Sequence, residues 1–571
     1  MAACLPIFLL APGYAILTAR AATPSDGIVY GPAITIAIVA ATVLAAIGVG
    51  VPAAVASWSI VLGLTSLTVA LTLAGKVPRP DGQAMRPIVL MLIVYAFLVG
   101  FDLVPSNPSL NKVDNAAPVP PTTYVVDIEN PRVPNRGGDG TLQYEAEQVI
   151  WHRFVPAEGQ FHGPWRFADR TPLAGFVAAG LAAPPGAAPP ITNPGSPLGP
   201  RSDDAVRNRD PQTAPASPSA PEPIDSWGYW FYRLLMMALS LLVLLTVFRL
   251  ASDLFDQRAA TLAVVAAGLA PALMLSAYFT SPKNLAAYLG MVAALLVRDR
   301  RPWLAGLAVG GAYLAHPLGL LLGGAVVVYQ AVKSRAGALK MVLAVMPAVL
   351  AWNVYGAVTG VRSSLITSAL GCFFPGPSVH VCWEQFTHDG IAVIVWDRFR
   401  ALAGSILPVG LVTPLSPSGF EAARFKWYEI HDFSYAGLVG LLFFGLVVLG
   451  LVRAFPRYRL EMGALLGVQA LLIMLAWGTG TPNANIAGIG MLPLLFVFGG
   501  YGLSTLPARV GSFALFAMTV EGTLYFASLI APVPDVIPLA YVLMAVICIG
   551  SVGALVATGF AVLRRRAAGP V

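Results

Sequence analysis

Charge is scarce in this chain. Only 11% of its 571 residues are Asp, Glu, Lys or Arg, whereas 57% are hydrophobic, and the mean hydropathy is +0.73. Soluble globular proteins carry about 25% charged residues, so the composition excludes a soluble globular domain. It predicts a polytopic membrane protein.

Familiar nucleotide and metal motifs are absent as well. The sequence has no Walker loop, no G-x-G-x-x-G after a strand, no paired C-x-x-C and no H-E-x-x-H, which argues against ATP-driven transport. The net charge of +7 does not indicate a nucleic-acid partner, because the basic residues form short clusters between apolar runs instead of one patch. Such clusters are typical of topology signals.

The apolar runs predict membrane spans, since about 17 to 25 such residues cross about 30 Å of hydrocarbon. Clear runs are 30–50, 55–73, 87–103, 230–250, 259–278, 340–355, 435–451, 462–477, 486–503, 512–529 and 537–562. Runs 4–17 and 285–297 are shorter, and a cleaved signal peptide is the alternative for the first. Run 303–332 is interrupted by "AHPLG", which predicts two short helices folded as a hairpin.

Lys and Arg near the span ends predict the orientation, because they favour the cytoplasm. Their clusters are consistent with about 13 to 15 spans, an outside N terminus and a cytoplasmic C terminus. The predicted regions are N-terminal transmembrane helices 1–104, a first extracytoplasmic loop 105–181, an insert 182–224, central transmembrane helices 225–360, a second extracytoplasmic loop 361–433 and C-terminal transmembrane helices 434–571. A composition rich in Ala, Gly, Pro and Arg suggests a high-GC bacterium, hence a bacterial plasma membrane.

The first outside loop is composite. Its insert is so rich in Pro, Ala and Ser that it is predicted to be disordered. Before the insert, apolar residues repeat at helical spacing at 142, 146, 149, 150 and 154, with Glu145, Glu147 and Gln148 turned elsewhere. This pattern predicts an interfacial helix on the outer membrane surface. Residues 167–183 predict a second helix lying along that surface.

Several segments together carry a family resemblance. The acidic stretch "DGTLQYEAE" and the turn "DRTPLAGF" precede "WGYWFYRLL", "SPKNLAAYLG" and "LAGLAVGGAYLAHPLGLLLGG". This order resembles the GT-C superfamily of integral-membrane glycosyltransferases, among them protein O-mannosyltransferases and lipid A aminoarabinose transferases. It covers roughly residues 139–332, although Thr171 replaces the first proline of the turn and the acidic loop follows about four spans instead of one. The resemblance implies an all-α, GT-C-like transmembrane bundle.

Such an enzyme transfers a sugar from a polyprenyl-phosphate donor to a polysaccharide, glycolipid or protein acceptor of the cell envelope, on the extracytoplasmic side. The chemistry needs a carboxylate that takes the proton of the acceptor hydroxyl. Asp139, between glycines in "GGDGT", is the first candidate, and a helix N-cap is its alternative role. Glu145 and Glu147 are reserve candidates, with a solvated helix face as the alternative.

The departing lipid phosphate needs cations beside it. Lys283 is the first candidate, and snorkelling to the interface is its alternative role. His316 lies at the hairpin apex within an apolar run, where an ionisable group is a functional candidate, and a packed, hydrogen-bonded histidine is the alternative. Further candidates for substrate contacts are Asp169, Arg170, Arg362 and Arg398.

The remaining expectations concern cofactors and cysteines. The sequence requires no cofactor, although Asp169 could position the acceptor or a divalent cation; an ion pair with Arg170 or Arg166 is its alternative role. Cys372 and Cys382 flank "FFPGPSVHV" in the second outside loop, where an oxidising compartment favours a disulfide. Two free thiols are the alternative.

Two functional alternatives stay open beside the transferase. A secondary transporter or flippase for lipid-linked envelope precursors predicts ionisable residues near mid-membrane in two related halves. A noncatalytic scaffold predicts that no outside carboxylate is essential.

Overall fold

The computed structural model describes residues 4–103, 137–152, 171–187, 227–278, 282–358, 441–476, 490–528 and 537–564, together with isolated positions between 390 and 399. Within 137–152 it describes the side chains of Tyr144 and of 146–152. The secondary structure of this part is all-helical, as predicted. Its α-helices are α1 Cys4–Thr18, α2 Pro24–Gly48, α3 Ala53–Leu73, α4 Gly82–Phe101, α5 Gly137–His152, α6 Leu173–Leu181, α7 Trp227–Leu241, α8 Val243–Leu254, α9 Gln257–Leu269, α10 Pro271–Tyr278, α11 Lys283–Arg298, α12 Pro302–Ala315, α13 Gly319–Lys333, α14 Arg335–Val358, α15 Leu441–Glu461, α16 Val468–Ala476, α17 Leu492–Thr505, α18 Ala508–Ser528 and α19 Leu539–Arg564.

Six helical segments in the described part are long and apolar enough to cross a membrane. They are Pro24–Gly48, Ala53–Leu73, Gly82–Phe101, Trp227–Leu254, Arg335–Gly356 and Leu539–Arg564. Five shorter apolar helices accompany them: Cys4–Thr18, Gln257–Leu269, Pro302–Ala315, Gly319–Lys333 and Leu492–Thr505. These helices support a membrane protein, while the predicted number of 13 to 15 spans stays a prediction.

Two breaks between helices lie next to prolines. The predicted hairpin is confirmed, because α12 ends at Ala315 and α13 begins at Gly319, around Pro317. The predicted span 259–278 is not one continuous helix, because Ala270 is extended at φ −79° and ψ 123° and separates α9 from α10. A residue before a proline is driven out of the helical region, and Pro271 follows Ala270 directly.

The core is centred on α7 and α8. Nearly every side chain of this pair is buried, and α4, α9, α11 and α17 surround it. The first helix belongs to the bundle too, since a Cβ added at Gly13 would lie only 1.9 Å from the carbonyl oxygen of Gly31. Helices that cross this closely need glycine at the contact.

A π-helix, Met462–Gly467, lies between α15 and α16. It follows Pro456 and a non-helical residue, Tyr458. The described side chain of Gln469, just after it, is fully buried.

Polar contacts join helix ends that the sequence predicts to lie on one side. Arg249, near the end of α8, lies 3.3 Å from Asp26 in the first turn of α2. Arg298, at the end of α11, lies 3.9 Å from Glu461 at the end of α15. We call this the arginine end of the bundle. That it faces the cytoplasm stays a prediction.

Candidate functional site

Helix α5 packs against α6 through a glycine. A Cβ added at Gly175 would lie 3.2 Å from the Cβ of Ala146, the backbone nitrogen of Glu147 and Cδ1 of Ile150. A larger side chain at Gly175 would therefore push the two helices apart. Helix α6 is itself inserted against α2 and α3, with its described side chains almost all buried. Helix α6 is thus covered by α2, α3 and α5, and its position along the membrane surface stays a prediction.

The other side of α5 faces α7 through aromatic rings. The ring centroid of Tyr144 lies 5.2 Å from that of Tyr229 and 5.4 Å from that of Tyr232. The first pair is edge-to-face, an arrangement that adds attraction beyond the buried area. Helix α5 is thus held between α6 and α7.

Glu147 points between these two contacts. Successive residues on an α-helix are about 100° apart, so Glu147 lies about 60° from Tyr144 and about 60° from Ile150 around the axis. Its side chain is 0% exposed, and among the described residues neither carboxyl oxygen has a hydrogen-bond partner. Burial raises the pKa of this carboxyl well above its usual range, because desolvation disfavours the charged form.

The expected orientation of this helix needs correction. Glu147 and Gln148 were expected to turn away from the apolar face, and the alternative role for Glu147 was a solvated face. Both side chains are buried, at 0% and 6% exposure, because α5 packs on more than one side. An amphipathic pattern read from the sequence assumes a single covered face, and here α6 and α7 cover two.

A buried ion pair lies beside α10 at the same end of the bundle. Asp102 caps α4 and pairs with Arg233 of α7, and both side chains are at most 2% exposed. The Cζ atom of Arg233 lies 4.9 Å above the ring of Tyr278, and the hydroxyl groups of Tyr229 and Tyr278 are within hydrogen-bonding range of the guanidinium. Sequence reasoning missed this pair. The available signal was a charged residue at the end of, or inside, an apolar run.

Lys283 and His316 lie at the same end of the bundle, Lys283 at the start of α11 and His316 in the turn between α12 and α13. A Cβ added at Gly290 of α11 would touch the side chain of Leu322 on α13, which fixes the register of these two helices. Lys283 is seven residues before Gly290, and His316 is six before Leu322. At about 1.5 Å per helical residue, Lys283 lies about 10 Å from that contact, and His316 precedes the start of α13 in the same direction.

Both candidates are buried. Lys283 is 6% exposed and His316 is 3% exposed, so Lys283 does not snorkel to solvent, and that alternative is wrong. His316 follows α12, and its Nδ1 accepts a hydrogen bond of 3.1 Å from the backbone N–H of Leu318. Asn284 donates to Ser276 at 2.9 Å, which ties the start of α11 to α10 and hence to the ion pair.

Asp139 is the third residue of α5, so it lies inside the helix and not at the N-cap position. It precedes Glu147 by eight residues, about 12 Å along the axis. The side chains of Asp139 and Glu145 lie outside the described part. So do the other predicted site residues: Asp169, Arg170, Arg362, Arg398, Cys372 and Cys382. Thr171, beside two of them, is fully buried.

The described site contains acidic, basic and charged side chains. One end of the bundle carries a buried carboxyl on α5, an ion pair between the residue after α4 and the second turn of α7, and a buried lysine and histidine at the start of α11 and after α12. In the described part of the chain, no three His, Cys, Asp or Glu side chains are grouped as metal ligands. The predicted option of a divalent cation at Asp169 stays a prediction.

Comparison with known proteins gives no relative for this arrangement. No family model, no curated protein and no solved structure matches the chain.

Proposed function

We propose that this protein is a membrane glycosyltransferase that moves a sugar from a polyprenyl-phosphate donor to a polysaccharide, glycolipid or protein acceptor of the cell envelope. The observation that carries the proposal is Glu147, a fully buried carboxyl without hydrogen bonds in the described part of the chain. Leaving such a group unsatisfied costs about 1–3 kcal/mol. Groups retained at such a cost are often functional.

Glu147 serves as the base in this proposal, in preference to Asp139 or Glu145. It takes the proton of the acceptor hydroxyl while that oxygen attacks the anomeric carbon of the donor sugar. The bond between that carbon and the phosphate oxygen breaks, and the lipid phosphate leaves with the electron pair. A carboxyl whose pKa is raised by burial suits this task, because a base works best with a pKa near the working pH.

Lys283 supplies positive charge, and His316, whose Nδ1 accepts from Leu318, supplies its Nε2–H as a hydrogen-bond donor for the leaving phosphate. They lie at the end of the bundle that also carries Glu147 and Arg233, opposite the arginine end. Preorganised donors in a dry site stabilise developing charge strongly. Because basic clusters favour the cytoplasm, we place the reaction on the extracytoplasmic side of the plasma membrane.

A transporter or flippase for lipid-linked precursors is the second candidate. The broken pair α9 and α10 and the hairpin of α12 and α13 favour it, because transporters use interrupted helices around their sites. The ion pair of Asp102 and Arg233 also suits a transport path. This candidate requires no covalent chemistry at Glu147.

A transfer assay separates the two. Purified protein is incubated with a panel of radiolabelled polyprenyl-phosphate sugars and membrane acceptors, and wild type is compared with Glu147→Gln, Glu145→Gln and Asp139→Asn. We expect Glu147→Gln to lower transfer at least about 100-fold, the usual contribution of a general base. Glu461→Gln, at the arginine end, is the control.

Undiminished transfer by Glu147→Gln, with a large loss in Asp139→Asn, would move the base to Asp139. No transfer from any donor, together with ion-coupled uptake of lipid-linked precursor in proteoliposomes, would replace the transferase by the transporter.

A further inference from the structure

The ion pair of Asp102 and Arg233 has no part in the proton transfer at Glu147. Removing two charges from water costs several kcal/mol per ion, and replacing a buried pair by apolar residues is often neutral or stabilising. The pair is therefore a poor device for stability alone.

Arg233 keeps hydrogen-bonding capacity for a second anion. Its Nη2 donates to Asp102 and the hydroxyls of Tyr229 and Tyr278 lie within reach of the guanidinium, whereas its Nε has no acceptor among the described residues. A guanidinium carries five N–H donors in a planar fork, which matches the oxygens of a phosphate. The ring of Tyr278, 4.9 Å from Cζ, holds the plane of the fork in place.

The position of the pair suits a lipid headgroup. Asp102 directly follows the last residue of α4, and Tyr278 is the last residue of α10. Arg233 is the seventh residue of α7, about 9 Å from the start of that helix. The start carries Trp227, which is 41% exposed, and tryptophan is enriched at membrane interfaces. The pair therefore lies just below the level at which a lipid phosphate resides.

We propose that Arg233 binds the phosphate of the polyprenyl lipid and that Asp102 limits the strength of this binding. Asp102 orients the guanidinium by accepting from Nη2, and its negative charge opposes the phosphate a few ångströms away. The spent lipid phosphate, which carries more charge than the sugar-linked donor, is then released. This inference rests on the proposed function for the identity of the lipid.

The test is an affinity measurement on the purified full-length protein in detergent, with undecaprenyl phosphate as the probe. Asp102→Asn keeps a carbonyl oxygen for Arg233 and removes the opposing charge, so we expect binding on the order of tenfold tighter. Arg233→Gln should weaken binding at least about tenfold. The matched controls are Asp26→Asn and Arg249→Gln, which disrupt the corresponding pair at the arginine end and should change nothing.

Two further probes identify the ligand. Undecaprenol, which lacks the phosphate, should bind weakly and equally to all variants. Inorganic phosphate should compete only at far higher concentration, and competition at equal concentration would reject the lipid as the ligand. If Arg233→Gln does not fold, Arg233→Lys retains the charge without the fork and should weaken binding severalfold.

An affinity that is unchanged or lower in folded Asp102→Asn would overturn the proposal and leave the pair as a structural brace. Opposite shifts in Asp102→Asn and Arg233→Gln, without sugar transfer from any donor, would keep the phosphate site and reject only the transferase. Transfer that depends on Glu147, without these shifts, would reject only the phosphate site.

Discussion

Replacing Glu147 by Leu should stabilise the protein while it abolishes transfer. The carboxyl is 0% exposed, and neither oxygen is hydrogen-bonded within the described part of the chain. An unsatisfied buried polar group costs about 1–3 kcal/mol, and leucine fills a similar volume without that cost. We therefore expect the free energy of unfolding to rise by about 1–3 kcal/mol at mildly acidic pH, where the carboxyl is neutral.

The stability that Glu147→Leu gains over the wild type should grow as pH rises. Burial raises the pKa of Glu147 in the folded state, so the folded protein binds the proton more tightly than the unfolded chain. The stability of the wild type is therefore highest below the unfolded pKa of about 4.3, and it falls as pH rises toward the folded pKa, by up to about 1.4 kcal/mol per pH unit. The Leu variant has no carboxyl at this position, so its stability does not fall with pH for this reason.

Unfolding in detergent at pH 5 and pH 8, followed by tryptophan fluorescence, measures both effects. Glu461→Leu is the opposite control, because Glu461 accepts a hydrogen bond from Tyr329 at 3.2 Å and its loss should destabilise. A Glu147→Leu variant that is less stable than wild type, or that shows the same dependence on pH, would refute the reasoning.

Three further predictions follow from the packing, the cations and the cysteines. Gly500→Ala should lower the melting temperature, because its Cβ would lie 2.5 Å from backbone atoms of α9, whereas Gly553→Ala, with nothing within 4 Å, should not; equal melting temperatures would contradict the packing. Lys283→Met should reduce transfer at least about tenfold without lowering the melting temperature, and unchanged transfer would remove it from the phosphate site. Maleimide labelling of the unreduced, denatured protein should modify two of its four cysteines, because Cys372 and Cys382 are expected to form a disulfide, and four labels would exclude the bond.

Local features of the fold were predictable because their causes are local. The break of the hairpin was predicted from "AHPLG" and confirmed, since Pro317 restricts its neighbour within one residue. The helix predicted from the apolar repeat between residues 142 and 154 is confirmed, as α5 at Gly137–His152. The break at Ala270 has the same cause, but the apolar run around it concealed the signal.

The ion pair and the burial of Glu147 depend on contacts between residues that are distant in the sequence. Asp102 and Arg233 are 131 positions apart, and no spacing rule joins residues so distant. A solvated face is the alternative role for Glu147 in the sequence, because periodicity shows which residues share a face and not how many faces are covered. Its burial depends on α6 and α7, which the sequence could not position around α5.

At the π-helix Met462–Gly467, the chain can lose one residue without changing how the flanking helices pack. A π segment accommodates one extra residue while the flanking α-helices keep their alignment. Deleting Gly463, which has open space around it, would convert the segment to α-helix and leave the buried side chain of Gln469 facing the core. The same deletion inside α16 would turn every later side chain of that helix by about 100°, so relatives that differ by a single residue in this region should carry the difference before Gln469.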